Sequence, residues 1–179
     1  MKKTRELVFA GLCTALTAVA AQISVPLPFT PVPFAMSVFA VYLAGALLPM
    51  REALLSQIAY LLLGAAGLPV FAGFHAGLGV LAGPTGGFLV MYPVMAVLVA
   101  FVCRASGRKT VPVLAAGMLC ALAACYLGGS LWFCVVAKMG WTKSLGLTVA
   151  PFLPLDLVKV AACAPLAAAL CRRLKVISA

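Results

Sequence analysis

Six apolar runs, Leu7–Ile23, Phe34–Leu48, Ala53–Ala66, Gly86–Val102, Val111–Val136 and Leu155–Leu170, take up most of this 179-residue chain. A helix crosses a bilayer with about 17–25 apolar residues, unless it is tilted or stops short. The second and third runs fall below that length, so their boundaries are soft. With 65 % hydrophobic and 9 % charged residues and a mean hydropathy of +1.20, the chain lies outside the composition of soluble domains. The expected fold is all-α: an integral membrane protein with six transmembrane helices in a compact bundle, one domain over residues 1–179. Met1-Lys-Lys-Thr-Arg5 before the first run looks like the start of a signal peptide. No polar mature domain follows, so the run is read as the first span.

Thirteen Lys and Arg against three acids give a net charge of +10. The cations sit in short connections between apolar runs, and no groove-reading module is present, which argues against nucleic acid as a partner. Their distribution sets the direction of the spans instead. Lys2, Lys3, Arg5, Arg51, Arg104, Arg108, Lys109, Arg172, Arg173 and Lys175 fall on one side, Lys138 and Lys143 on the other. By the positive-inside rule both termini are cytoplasmic, and the connections Val25–Pro33 and Gly67–Pro84, without Lys or Arg, face outward.

Asp156 and Lys159 are opposite charges at i,i+3 spacing near the outer end of the sixth run. Each would cost roughly 2.5–3.5 kcal/mol at the centre of a membrane helix, so such residues are normally paired and face a cavity. They share one helix face and partly neutralise each other. Pro154 suits the first helical position and puts Asp156 in the first turn, where the helix dipole favours a carboxylate. A pocket open to the outside follows.

The outward connections, Val25-Pro-Leu-Pro-Phe-Thr-Pro-Val-Pro33 and Gly67–Gly87, are rich in Pro and Gly yet apolar and aromatic. One reading is that they only turn the chain between spans. The other is a stiff lid over a cavity for the first, and glycine-dense backbone beside a ligand for Gly83-Pro-Thr-Gly-Gly87; for that motif the site reading is preferred.

Other features carry no chemistry. Gly107-Arg-Lys-Thr110 lacks the upstream glycine of a phosphate-binding loop. His75 is the only histidine, read as an exposed loop residue or a pocket rim, and no H-E-x-x-H or G-x-S-x-G motif occurs. The seven cysteines have neither metal-ligand spacing nor a disulfide framework and read as small apolar residues. Glu6 and Glu52 belong to cytoplasmic helix ends, leaving Asp156 as the one acid at depth, too few polar groups for an enzyme. Small residues along the first span, Ala10, Thr14 and Ala18 with Gly11 and Ala15, allow close helix approach. They serve either packing within the chain or the docking of a second membrane protein.

Pro26-Leu-Pro-Phe-Thr-Pro-Val-Pro33, Gly64-Ala-Ala-Gly-Leu-Pro-Val-Phe-Ala-Gly73, Gly83-Pro-Thr-Gly-Gly87 and Pro151-Phe-Leu-Pro-Leu-Asp-Leu-Val-Lys159 resemble, in order and spacing, the BioY family of biotin transporters. The resemblance covers nearly the whole chain. It implies the substrate-binding (S) component of an energy-coupling-factor transporter in a prokaryotic cell membrane, with no enzymatic activity, cofactor or metal. The implied partners are a transmembrane coupling protein of the EcfT or BioN type, two ATPases of the EcfA or BioM type and membrane lipid. The family's acidic and basic pair matches Asp156 and Lys159, its lid matches the loop with Phe29 and Thr30, and its glycine motif spans Thr85, Gly86 and Gly87. The chain departs from the family at Gly73-Phe-His-Ala-Gly77 and at Met36-Ser37, where a polar amide is expected.

Biotin offers two ureido N–H donors, a strongly accepting carbonyl, an apolar sulfur ring and a carboxylate tail. A polar group left unpaired in a dry pocket costs about 1–3 kcal/mol. Asp156 is suited to the ureido N–H groups; Lys159 is suited to the ureido carbonyl or to the tail carboxylate. Gln57 and Tyr92 are further donor candidates, and Phe29, Phe88 and Trp132 are candidates to pack on ring and tail. The rivals are another vitamin such as thiamine or riboflavin, a membrane enzyme using Asp156, and a structural subunit that binds no small ligand.

Overall fold

The structure is a computed structural model and describes residues 2–26, 28, 30 and 32–173; Phe29 and Lys175 lie outside the described residues. Eight α-helices follow one another: α1 (Lys2–Gln22), α2 (Ser37–Leu47), α3 (Met50–Ala65), α4 (Leu78–Ala82), α5 (Gly86–Ala105), α6 (Val111–Ala137), α7 (Trp141–Thr148) and α8 (Leu153–Arg173). A 3₁₀ turn at Ala72–Phe74 precedes α4, and two short strands, β1 (Ser24–Val25) and β2 (Phe34–Ala35), join α1 to α2.

Among the described residues, four helices are long and apolar enough to cross a membrane: α1, α5, α6 and α8. Their side chains are sorted as lipid solvation requires. On α1 the inward positions are Ala10, Cys13, Thr14, Thr17 and Ala21, at helical spacing, while Leu7, Val8, Leu12, Leu16 and Val19 are exposed. Lipid tails are as apolar as Leu, so large apolar groups gain nothing by turning inward, and small residues bring helices together. Within the small-residue stripe, Ala10 and Thr14 are buried and Gly11 and Ala15 are exposed. The Thr14 hydroxyl donates to Ser56 O on α3 at 2.8 Å, tying the two helices.

The second apolar run is not helical from its start. Phe34–Ala35 forms β2, which pairs antiparallel with β1 (Ser24 opposite Ala35, Val25 opposite Phe34), and α2 begins only at Ser37. At 1.5 Å per residue its 11 residues reach about 16 Å, half of a bilayer core. Eight of them are buried, so α2 is sheathed by protein and has little need of spanning length. The third run begins three residues early, at Met50. The Gly67–Gly87 connection contains the 3₁₀ turn and α4, and α7 lies between the fifth and sixth runs. α8 begins at Leu153, which makes Pro154 its second residue, where an N–H still has no intrahelical acceptor. Asp156 keeps its place in the first turn.

Candidate ligand-binding site

The β1–β2 pairing pins the base of the Pro-rich loop, and Met36 N–H adds a bond to Ile23 O at 3.0 Å. Within the loop, Thr30 is buried and its hydroxyl accepts from Val32 N–H at 3.3 Å. Val32, Pro33, Phe34 and Ala35 thereby form one wall of a chamber. Its other walls come from α2 (Val38), α5 (Phe88, Tyr92), α6 (Leu122, Cys125, Tyr126), the α7–α8 region (Thr148, Phe152) and α8 (Asp156, Lys159). The cavity volume is about 70 Å³.

Asp156 and Lys159 are 6 % and 5 % exposed. The ammonium lies 2.8 Å from Asp156 Oδ1, donates to Ala35 O at 2.7 Å and stands 3.8 Å from the Phe34 ring centroid. One cation thus satisfies a carboxylate, a hairpin carbonyl and a π face, and fastens the base of the Pro-rich loop to α8. Tyr126 donates its hydroxyl to Asp156 Oδ2 at 2.6 Å, a short charge-assisted bond. Oδ1 is buried without a directed hydrogen bond; its contact with Lys159 is ionic. That oxygen is an acceptor with capacity left for an N–H.

The chamber walls are themselves braced. Tyr92 shares a hydrogen bond with Ser37 at 2.7 Å and stacks on Tyr60 with centroids 6.1 Å apart. Thr148 is paired with Ser130 at 2.9 Å, and Ser144 donates to Ser130 O at 3.1 Å, which anchors α7 to α6. A Cβ on Gly129 would overlap the Phe88 ring, so this glycine makes the room that Phe88 occupies at the chamber wall.

Of the sequence-predicted residues, the chamber brings together Asp156, Lys159, Tyr92 and Phe88. Thr85 lines a second cavity of about 290 Å³ with Pro33, Phe71, His75, Gly83 and Leu89. His75 is both exposed and on that rim. Pro33 is common to both cavities, which makes it the partition between them. Gly86 and Gly87 are buried at the start of α5, where a Cβ would run into Leu81 O and the Trp132 side chain. Their bareness is accounted for by packing. Trp132 lies outside the chamber, 40 % exposed, and donates to Gly83 O at 3.0 Å. Gln57 is fully buried away from the chamber, with its amide nitrogen 3.2 Å from Ser56 Oγ and 3.4 Å from Thr17 Oγ1. Tyr126 was not among the residues chosen from sequence; the available signal was a phenol inside an apolar helix, which needs a polar partner. All seven cysteines are free, and no group of metal-ligating side chains occurs among the described residues.

The model of the BioY family matches residues 1–176. A probable biotin transporter BioY from Pyrococcus horikoshii is 39 % identical over 159 residues, 89 % of this chain and 91 % of that one. The biotin transporter BioY2 of Lactococcus lactis is 32 % identical, covering 88 % of this chain and 85 % of the relative. In three dimensions the chain is similar to a crystal structure of the S-component for biotin from an ECF-type ABC transporter. The TM-score is 0.88 at 22 % identity, with 95 % and 92 % of the two chains covered.

Proposed function

The chain belongs to the BioY family, and from that premise we propose that it binds biotin from outside the cell as the substrate-binding component of an energy-coupling-factor transporter. The observation that carries this is the buried Asp156–Lys159 pair, whose Asp156 Oδ1 has acceptor capacity to spare at the wall of the chamber. A ureido group presents two N–H donors beside one carbonyl. Asp156 takes the donors, Lys159 gives its ammonium to the carbonyl, and Tyr126 holds the carboxylate in place through Oδ2. Phe88, Phe34 and Phe152 supply apolar wall for the sulfur ring.

A volume of about 70 Å³ is below the roughly 300 Å³ at which small-molecule pockets begin. The Val32–Phe34 wall therefore shifts on binding. Because Pro33 divides the chamber from the cavity of about 290 Å³, its displacement joins the two. The aliphatic tail then extends toward Thr85 and His75. The ammonium's bond to Ala35 O and its contact with Phe34 couple the lid to the site: a ligand carbonyl that draws Lys159 away loosens the lid's base.

Six membrane passes with both termini in the cytoplasm place the chamber outside. The short α2 and α3 then complete passes within a bundle bounded by the four long helices. The sequence carries no phosphate-binding-loop motif, and uphill uptake is energised by a separate ATPase module through a coupling membrane protein. The exposed Gly11–Ala15 pair is one face open to it. The test is titration of detergent-purified protein with biotin, in competition with thiamine and riboflavin. Saturable binding that only biotin displaces is expected; displacement by either other vitamin changes the substrate, and no saturable binding ends the reading.

A further inference from the structure

At the end of the bundle opposite the chamber lies a recess of about 540 Å³, lined by Gly45, Leu48, Pro49 and Met50, by Ala100, Cys103 and Arg104 of α5, by Gly107, Arg108 and Lys109, and by Glu6 of α1. Its origin is the shortness of α2. That helix ends at Leu47 and α3 starts at Met50, so the turn between them forms the floor, while α5 continues to Ala105 and the α5–α6 connection overhangs it. Lys109 reaches in and donates to Ala46 O at 2.7 Å, satisfying a carbonyl in the last turn of α2 that has no intrahelical donor.

Three cations and one carboxylate line the recess, and among the described residues no acid lies within 4.0 Å of Arg104, Arg108 or Lys109, the Asp156–Lys159 pair being the one such contact. The floor is apolar. Beside the recess, Leu7, Phe101 and Val111 are exposed at 58 %, 54 % and 40 %. Phe101 lies one turn from Arg104, Leu7 adjoins Glu6, and Val111 follows the loop that carries Arg108 and Lys109. Positive charge in a cavity, at the ends of membrane helices, next to apolar surface facing outward, fits a ligand with an anionic head and hydrocarbon chains. Planar guanidinium groups suit a phosphodiester.

We propose that this recess is a binding site for the headgroup of an anionic phospholipid, with Arg104 and Arg108 on the phosphodiester and the acyl chains against Leu7, Phe101 and Val111. Lys109 stays on Ala46 O and adds charge without leaving it. The site is independent of the vitamin chamber and of what that chamber binds.

The test uses purified full-length protein in neutral detergent, titrated calorimetrically with dihexanoyl phosphatidylglycerol, dihexanoyl phosphatidylcholine and inorganic phosphate. Phosphatidylglycerol is expected to bind at least about 10-fold more tightly than phosphatidylcholine, and the Arg104→Gln/Arg108→Gln variant to lose about 30-fold, at the strength of two surface cations against anionic lipid. Biotin titration of the same variant reports that it is folded, and if neither protein binds biotin the lipid comparison still stands. Should the variant not purify, the wild-type preference decides alone. Equal binding of the two lipids, an unchanged variant, or inorganic phosphate binding as tightly as phosphatidylglycerol overturns the assignment.

Discussion

Replacing Asp156 and Lys159 singly and together separates recognition from stability. In Lys159→Met the carboxylate keeps Tyr126 at 2.6 Å and loses the ammonium at 2.8 Å, while Ala35 O loses its donor. Breaking a buried pair from one side costs about 3–5 kcal/mol, because the remaining charge is left uncompensated. Asp156→Asn strands the ammonium in the same way. Asp156→Asn/Lys159→Met strands neither charge, so its loss should be well below the sum of the singles. The coupling energy should lie toward the upper end of the roughly 0.5–3 kcal/mol found for neighbouring residues. Affinity behaves differently. Losing the charged acceptor for the ureido N–H groups removes about 1.5–3 kcal/mol, about 10- to 150-fold in Kd, and the double variant recovers none of it. Thermal unfolding and calorimetric biotin titration on the same preparations give both readouts. A folded Asp156→Asn protein with wild-type Kd refutes the assignment of the carboxylate, and additive stability losses refute the pair.

Tyr126→Phe removes the bond to Oδ2 while leaving shape intact, so biotin affinity should fall by about 10-fold or more in the same titration, at the roughly 1.5–3 kcal/mol of a hydrogen bond to a charge. Gly129→Val forces the Phe88 ring out of the space it occupies beside α6, and should weaken biotin binding more than it lowers the midpoint of thermal unfolding. Gln57→Leu takes away two long amide contacts together with a buried carbonyl that has no partner. Stability should change by less than about 1.5 kcal/mol, and biotin Kd should not move, as Gln57 sits away from the chamber.

The membrane class and most of the helix order were legible because lipid imposes a strict rule: long apolar runs must close their own backbone hydrogen bonds. The same rule misled at Phe34–Ala35, where an apolar pair reads as helix but satisfies its backbone by pairing with Ser24–Val25. Hydropathy cannot distinguish lipid from protein as an apolar surrounding, which is why the burial of α2 by its neighbours, and with it the shortness of that helix, was not legible in the run. The charged pair stood out because two opposite charges at helical spacing have few uses in hydrocarbon. Its surroundings did not stand out. Tyr126 lies 30 residues upstream of Asp156 on another helix, and Ala35 contributes a backbone carbonyl that any residue would carry. Gln57 shows the converse: its polarity suggested a ligand contact, yet its amide nitrogen lies near Thr17 and Ser56 in the contact between α1 and α3. Gly86 and Gly87 suggested backbone offered to a ligand and are explained by the close passage of Leu81 and Trp132.

The most direct test is the electron density of the protein crystallised or imaged with biotin bound. The ureido ring is expected between Asp156 and Lys159, its N–H groups on the carboxylate, with Val32–Phe34 displaced and the tail directed toward Thr85 and His75. Density for the ring elsewhere, with the Asp156–Lys159 pair and the Pro33 partition unaltered, would contradict the account.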